Sequence, residues 1–413
     1  MNIRKDAEEI LRAGLQAAIE LPRSCVKESL AFLPKTEGWL LLVAVGKAAW
    51  QMAQAVYEEV GSRIDSGIVI TKHGHSQGAI GPLAIREAGH PVPDADTYSA
   101  TREALALTER LTPQDTVLFC LSGGGSALFE QPLLPEDELA DITRQLLACG
   151  ADIVEINTLR KRFSAVKGGK FAAHCAPAKV YSILLSDVLG DRADMIASGP
   201  ACPDRSTCKE ALAIAEKYRL ALSPEAHALL REETPKELPH AETRVAGSVR
   251  QLCEAAVESC RALGYEPCLL TDRLCCEAKE AGSFFASIAR TQTNNGRKLA
   301  FLAGGETVVH LTGDGLGGRN QELALAAAIG MDGLPPEQAL LFSLGSDGTD
   351  GPTDAAGGIV DGGTASRMRE KGVSPADALA NNDSYHALRA ADALLLTGPT
   401  GTNVNDLTVL LVK

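Results

Sequence analysis

One glycine-rich segment of the sequence has the composition of an anion-binding turn. The residues are Ser122, Gly123, Gly124, Gly125 and Ser126, and they follow an apolar run that predicts a buried strand. Glycines let the backbone approach an anion closely, and the start of a following helix supplies N–H groups and the positive end of its dipole. The structural alternative is a tight strand-to-helix turn, which usually needs one glycine rather than three. The segment therefore favours binding of phosphate or carboxylate.

Cations stand at two further places. Lys47 follows a predicted strand that ends at Gly46, at the edge of the sheet where open α/β folds place ligands. Residues 160–170 hold five cations, beginning with Arg160 and Lys161, and they include a double glycine. A solvated lysine and a solvated basic face are the structural alternatives. Either place has the charge that an anionic substrate requires.

Aspartates after predicted strands are candidate metal ligands. Asp347, Asp350 and Asp354 fall within eight residues, where they repel one another unless a cation or hydrogen-bond donors offset their charge. Their spacing does not fit an EF-hand. This group predicts a metal or catalytic loop rather than a purely structural turn. Asp187, at the end of another predicted strand, could hold a metal, accept a proton or cap the next helix, and these interpretations stay open.

A second glycine-rich segment leads to Arg319. Residues 313–318 spell Gly-x-Gly-x-x-Gly, but the acidic residue of a dinucleotide-binding motif is not found at a strand end about 20 positions later. The segment fits better a flexible loop that carries an arginine, which closes over negative charge. An ordinary mobile loop is the alternative.

Short apolar strands alternate with amphipathic helices along the chain, which predicts open α/β sheets with right-handed crossovers. Residues 299–303 and 307–311 predict a hairpin, and the proline- and charge-rich residues 232–242 predict a linker. The predicted strands are 39–45, 67–71, 116–121, 180–186, 243–247, 266–270, 299–303, 307–311, 340–344, 393–397 and 407–412.

Composition excludes several classes of protein. The 413 residues include 40 Lys and Arg against 53 Asp and Glu, a net charge of −13, which argues against a nucleic-acid partner. No apolar run is long enough to span a membrane, and the acidic N-terminal residues do not resemble a secretory signal. Eleven cysteines without a Cys-x-x-Cys pair predict free thiols in a reducing, cytoplasmic setting. The oligomeric state stays open between monomer and homodimer.

Together these motifs resemble the glycerate 2-kinases of the two-domain family that carries a C-terminal MOFRL domain. The longest and most specific matches are Gly-Gly-Arg-Asn-Gln-Glu at 317–322 and Asp-Gly-Thr-Asp-Gly-Pro-Thr-Asp at 347–354. Further matches lie at 46–47, 89–94, 122–126, 160–169, 196–200, 304–307 and 401–403. The resemblance implies a Rossmann-like α/β domain with a mostly parallel sheet over 1–238, a mixed-sheet α/β domain over 239–413, and an active site in the cleft between them.

The resemblance also implies an activity, which is ATP-dependent phosphorylation of D-glycerate to 2-phosphoglycerate with Mg²⁺. It implies that Lys47, Arg319 and Asp347 are catalytic. From the motifs themselves, 122–126 are predicted to bind phosphate, Arg160 and Lys161 to bind the glycerate carboxylate, and Asp187, Asp350 and Asp354 to bind metal. The alternative is an NAD(P)H-dependent hydroxypyruvate reductase, because some relatives bear that label and because of the glycine pattern at 313–318.

Overall fold

The computed structural model describes residues 2–186, 193–293 and 296–413. The chain forms two compact units, one of residues 22–246 and one that joins the residues up to Leu21 with Gly247–Lys413. The division after residue 246 differs from the expected boundary at 238, because a strand over 241–247 still belongs to the first sheet. The first unit is thus inserted into the second, an arrangement that the sequence did not suggest.

The first unit is a Rossmann-like α/β domain. Its strands are β1 (Leu40–Val45), β2 (Ser66–Lys72), β3 (Ala84–Ala88), β4 (Thr116–Leu121), β5 (Lys179–Leu185) and β6 (Ala241–Gly247). They lie in the order β3-β2-β1-β4-β5-β6, and the strands from β3 to β5 are parallel to their neighbours. The order reverses between β1 and β4, which is the point where open α/β sheets bind ligands.

Helices surround this sheet. They are α1 (Ile3–Leu30), which continues past the division between the units, α2 (Ala49–Val60), α3 (Ala95–Leu107), α4 (Gly125–Leu128), α5 (Glu136–Ala148), α6 (Ile153–Phe163), α7 (Lys170–His174), α8 (Cys208–Lys217) and α9 (Pro224–Leu229). The aromatic rings of Phe119, Phe129 and Phe171 pack in the core with centroids 4.9–5.9 Å apart. This packing fixes the segments that follow β4 and precede α7.

The second unit holds a mixed sheet. Its helices are α10 (Val249–Ala262), α11 (Ala278–Gln292), α12 (Arg319–Met331), α13 (Thr364–Glu370), α14 (Pro375–Ala380) and α15 (Ser384–Ala390). Its strands are β7 (Glu266–Leu274), β8 (Leu299–Gly305), β9 (Ala339–Gly345), β10 (Gly357–Asp361), β11 (Leu394–Leu395) and β12 (Asp406–Val412), in the order β11-β10-β9-β12-β8-β7. Only β7 and β8 are parallel. The buried strand β12 lies between β8 and β9.

The start of α1 is tied to this second unit. Asp6 accepts hydrogen bonds from the hydroxyl of Tyr265 (2.8 Å) and from the ammonium group of Lys413 (2.8 Å). Burial raises the pKa of Asp6, but the hydrogen bonds and charge of these two partners lower it by more, so the net shift of the pKa is downward. Residues before 22 therefore complete the second unit.

The predicted hairpin is wrong. Strand β8 pairs with β7 and β12, and residues 307–311 form no strand; only Val308 makes an isolated parallel bridge, with Glu277. Gly305 has φ +149°, and a Cβ there would lie 2.3 Å from the carbonyl oxygen of Leu274, so the chain turns away from β8 at this glycine. An alternating apolar pattern does not reveal which strand is the partner.

Two strands were missed. Strand β3 lies at the edge of the first sheet and carries Arg86 and Glu87, so it lacks a continuous apolar run. Strand β10 begins with Gly357 and Gly358, a residue type that is depleted in strands. In the described part of the chain, no helix is long and apolar enough to cross a bilayer, and every cysteine is a free thiol.

Helices α11 and α12 pack at unusually short range through small residues. A Cβ on Gly282 would lie 2.2 Å from the carbonyl oxygen of Leu323, and one on Gly330 would lie 2.5 Å from the Cβ of Ala286. Residues larger than glycine would force the two helices apart.

We therefore expect Gly282→Ala to destabilise the protein by about 1–3 kcal/mol. The sign is informative, because the same change in an open helix stabilises by about 1 kcal/mol. Urea unfolding followed by circular dichroism measures the difference, with exposed Ser283→Ala on the same helix as the control. A Gly282→Ala protein as stable as wild type would contradict the close packing.

Candidate functional site

The loops after β1 and β4 are locked together at the point where the strand order reverses. The N–H of Lys47 donates to the carbonyl oxygen of Gly123 (2.8 Å), and the N–H of Ala48 donates to Ser122 Oγ (3.0 Å). Gly46 has φ +122°, and a Cβ there would lie 2.2 Å from Ser122 Oγ. Only glycine fits between these loops, and it sets the position of Lys47.

Packing explains two of the three glycines in the segment 122–126. Gly124 has φ +85°, and a Cβ there would lie 3.2 Å from both the Cγ of Lys47 and Nε2 of His90. A Cβ on Gly125 would lie 2.7 Å from the Cβ of Ala197. Lys47 and His90 therefore both lie against the glycine turn. Neither constraint accounts for Gly123.

The Ala197 contact belongs to a strained turn. Ala197 and Ser198 have positive φ angles of 49° and 61°, which cost roughly 1–3 kcal/mol each for residues other than glycine. The hydroxyl of Ser198 donates to Oδ1 of Asn157 on α6 (2.8 Å), and its carbonyl oxygen accepts from the N–H of Gly168 (2.9 Å). The turn thus joins the glycine segment after β4 to the basic segment that begins on α6.

Arg160 is the cation of the basic segment that has capacity to bind an anion. The side chain of Arg160 is half-buried and makes no hydrogen bond to the described part of the chain. Burial lowers the pKa of Arg160, and the negative charge of Glu130 opposes that shift. Glu130 itself bonds to the fully buried Lys167 (Nζ–Oε2 2.9 Å). A half-buried arginine with unused donors is suited to a carboxylate or phosphate ligand.

Lys161 and Arg162 have protein partners instead. Lys161 Nζ donates to Oδ1 of Asp204 (2.9 Å), and both side chains are buried. Arg162 donates to the carbonyl oxygen of Thr158 (2.9 Å) and to Ser206 Oγ (3.0 Å). These contacts favour a structural role for Lys161, which the sequence predicted to bind substrate together with Arg160.

In the second unit, Arg319 binds two carboxylates, one at the start of the central strand β12 and one just after β8. It is the first residue of α12, and its side chain pairs with Asp406 and Glu306. Burial lowers the pKa of Arg319, but Asp406 and Glu306 raise it by more, so the guanidinium stays charged. The sequence predicted a loose arginine, whereas the structure holds it in a network of ion pairs.

The glycines before Arg319 serve close packing. A Cβ on Gly313 would lie 2.3 Å from Oδ1 of Asn381, one on Gly317 would lie 2.1 Å from Ser384 Oγ, and one on Gly318 would lie 2.3 Å from the carboxyl carbon of Asp350. Backbone bonds add to this, since Oδ1 of Asn382 accepts the N–H of Gly313 (3.0 Å). The expectation of a flexible loop therefore does not match the structure, where residues 312–318 are pinned to residues 381–385.

The predicted metal ligands have different surroundings. Asp350 caps α12, since its carboxylate accepts the N–H groups of Asn320 (3.2 Å) and Gln321 (2.9 Å). Burial, followed by the charge of Asp406, raises the pKa of Asp350 to about 6. Exposed Asp354 accepts from the hydroxyl of Tyr385 (2.8 Å). Asp187 lies outside the described residues.

Asp347 is half-buried at the end of β9, and its Oδ1 accepts the N–H of Thr349 (3.0 Å). A Cβ on Gly345 would lie 3.4 Å from this Oδ1 and 3.5 Å from Oδ1 of Asp406. The carbonyl oxygen of Thr349 lies 2.9 Å from the same Cβ position, so three oxygen atoms lie around Gly345. Oxygen donors of this kind suit Mg²⁺.

A third group was not assigned from the sequence. His73, Asp94 and Asp96 place ligand atoms within 4.8 Å of one another after β2 and at the start of α3. Asp94 is already engaged, because it caps α3 through Thr97 and binds His73 Nε2 (2.9 Å). That hydrogen bond is the main cause of the raised pKa of His73. In the sequence, Asp94 ends the segment 89–94, which matches the family but does not by itself indicate a ligand.

Comparisons with known proteins cover the whole chain. The family described as "Domain of unknown function (DUF4147)" matches residues 6–231, and the MOFRL family matches residues 299–406. The D-glycerate 2-kinase of Thermotoga maritima is 51% identical over 100% of this chain and 99% of that protein. A relative from Agrobacterium vitis, 39% identical over 91% of this chain and 100% of its own length, is named only provisionally as a hydroxypyruvate reductase. The crystal structure of a glycerate kinase from Thermotoga maritima matches with TM-score 0.92 at 50% identity, covering 100% of this chain and 99% of that one.

The buried pair of Lys161 and Asp204 yields a stability prediction. Burial raises the pKa of Asp204, but the hydrogen bond and charge of Lys161, with Thr234 and Ser206, lower it to about 2. Asp204→Asn should cost about 3–5 kcal/mol at pH 7, because it leaves a buried cation without its counter-charge. Because the pKa of Asp204 is lower in the folded state, its ionised carboxylate stabilises the fold at pH values above 3.8. This stabilisation is lost as the pH falls towards 2.

Urea unfolding from pH 7 down to pH 3 measures both effects. The variant should show a flatter pH dependence than wild type, and adding Lys161→Met should restore part of the lost stability. Lys217→Ala, which removes an exposed partner of Glu155, is the control and should cost no more than about 1 kcal/mol. An Asp204→Asn protein as stable as wild type would contradict the structural role of the pair.

Proposed function

This chain belongs to the glycerate 2-kinase family whose C-terminal domain is of the MOFRL type, and we propose that it phosphorylates D-glycerate to 2-phosphoglycerate with ATP. The observation that carries the proposal is the 51% identity to a D-glycerate 2-kinase along the whole chain. The chemistry agrees, because phosphoryl transfer needs mainly positioning and neutralisation of charge.

Lys47 and the segment 122–126 are the proposed contacts of the ATP phosphates. Lys47 follows β1 at the reversal of strand order, and its backbone is bonded to Gly123. Its side chain lies against Gly124, so its ammonium group is carried by a stem packed on the glycine turn. A positioned cation neutralises charge that develops on the transferring group.

Arg160 is the proposed partner of the glycerate carboxylate. Its unused N–H groups can form two parallel bonds to a carboxylate. The negative charge of Glu130 does not prevent this, because Glu130 is neutralised by its ion pair with Lys167. Lys161 supports this region through Asp204 rather than by direct contact with substrate.

Arg319 and Asp347 are the proposed catalytic residues of the second unit. Asp347 is the proposed ligand of Mg²⁺, because its carboxylate lies beside Gly345 together with the carboxylate of Asp406 and the carbonyl oxygen of Thr349. Asp350 is instead buried as the cap of α12. When bound, Mg²⁺ would screen the charge of the nucleotide phosphates. Arg319 would add a fixed positive charge for the transferring phosphoryl group.

The reductase alternative has weaker support. A dinucleotide bound at 313–318 would need the free N–H groups at the start of α12 for its pyrophosphate. Those of Asn320 and Gln321 already donate to the buried carboxylate of Asp350. The glycines of the pattern are explained by close packing instead.

The activity is tested with purified protein, ATP, Mg²⁺ and D-glycerate. We expect ADP release in a coupled assay that depends on D-glycerate, and a product that enolase alone converts, since enolase acts on the 2-isomer. NADH with hydroxypyruvate serves as the comparison and should show no loss of absorbance. Background ADP release with substrate and metal in excess would refute the kinase proposal.

Lys47→Ala should lower kcat by roughly 10²–10³-fold, which corresponds to about 2.7–4 kcal/mol of barrier for one positioned donor. The melting temperature should stay near that of wild type, because the backbone bonds of Lys47 remain. Lys35→Ala, which removes an exposed cation from the loop before β1, is the control and should leave kcat unchanged. Equal turnover of the two variants would make Lys47 a solvated lysine.

A further inference from the structure

We propose that Asp406 is a positioning residue, which holds Arg319 in a fixed orientation for phosphoryl transfer. This inference rests on the proposed kinase function. In this arrangement Arg319 does not move to close over negative charge but is in place before substrate binds. Three features of the second unit support this role: the geometry of the ion pair, the position of Asp406 in a central strand, and the close packing of the loop before Arg319.

The ion pairs of Arg319 occupy three of the five N–H groups of its guanidinium. Arg319 Nε donates to Oδ2 of Asp406 (2.5 Å), and Nη2 donates to Oδ1 (2.9 Å), so the two groups form a bidentate pair. Nη1 donates to Oε1 of Glu306 (2.8 Å). A guanidinium has five N–H groups, so two remain, one on each Nη atom. The side chain of Arg319 is 32% exposed, which leaves these donors access to a ligand.

Asp406 is a rigid anchor. It is the first residue of β12, where it pairs with Gly305 of β8 on one side and Gly345 of β9 on the other. Its side chain is only 7% exposed, and the rest of the strand is buried. Because a central strand cannot shift without breaking two ladders of hydrogen bonds, the carboxylate has a defined position.

The backbone of Arg319 is equally constrained. The carboxylate of Asp350 accepts the N–H groups of the two residues that follow Arg319. Gly317 packs against Ser384, and Gly318 packs against Asp350. Both ends of the arginine side chain are therefore fixed, its Cα by the start of α12 and its guanidinium by Asp406. Ordering this long side chain in advance removes an entropic penalty that would otherwise fall on the transition state.

The test compares Asp406→Asn and Asp406→Glu with wild type in the kinase assay. Asparagine has the size of aspartate but cannot form the charged bidentate pair, and glutamate keeps the charge at a different distance. We expect both variants to lower kcat at least tenfold, with KM for ATP and D-glycerate changed less than threefold. Asp332→Asn weakens another Arg–Asp ion pair of this unit, in which Nη2 of Arg369 donates to both carboxylate oxygens, and should leave kcat within twofold of wild type.

Two results would overturn the inference. If Asp406→Glu retains wild-type kcat, the charge of residue 406 matters and its position does not. If Asp406→Asn lowers kcat by the same factor in an Arg319→Ala background as in wild type, Asp406 does not act through Arg319. We expect the double variant to match Arg319→Ala within twofold.

A measurement without turnover keeps the inference separate from the proposed function. In ¹⁵N-edited NMR spectra, the Nε–H of Arg319 should exchange slowly with water in wild type and rapidly in Asp406→Asn. Equal exchange rates in two folded proteins would refute the positioning role. A wild-type protein with slow exchange but no phosphorylation of D-glycerate would refute the kinase function instead, and leave the pairing of Asp406 and Arg319 intact.

Discussion

Close approach of backbone to backbone at the ends of the strands is the constraint on which both units depend. Gly46 leaves room for Ser122 beside the end of β1, and Gly305 leaves room for the backbone of Leu274 beside the end of β8. In both cases the backbone of a neighbouring segment lies so close that a Cβ would clash with it. Such a site tolerates little adjustment, because moving it requires moving paired strands.

The sequence predicts buried apolar strands well and misses strands that carry charged residues or begin with glycine. Buried strands such as β1, β4 and β12 are almost entirely apolar, so their pattern can be recognised without knowledge of their partners. The edge strand β3 and the glycine-initiated β10 lack that pattern. The inserted arrangement could not be predicted either, since nothing in residues 1–21 indicates that they complete a unit formed mainly by residues after 246.

For the candidate site, the sequence indicates residue types but not their partners. Arg160 and Lys161 are adjacent on α6, and consecutive residues of a helix point about 100° apart, so one lies beside Glu130 while the other reaches Asp204. The glycines before Arg319 are equally ambiguous, because glycine serves both flexibility and close packing. Only the positions of Asn381 and Ser384 decide between the two. Asp406 was not singled out, since a lone aspartate before an apolar strand has no distinctive spacing.

The inserted arrangement has a consequence for the order of events during synthesis. Residues 22–246 leave the ribosome before any residue after 246, so the first unit can fold while the second is incomplete. Asp6 emerges early, but its partners Tyr265 and Lys413 follow 259 and 407 positions later. The contacts of Asp6 with Tyr265 and Lys413 therefore form only after the first unit has been synthesised.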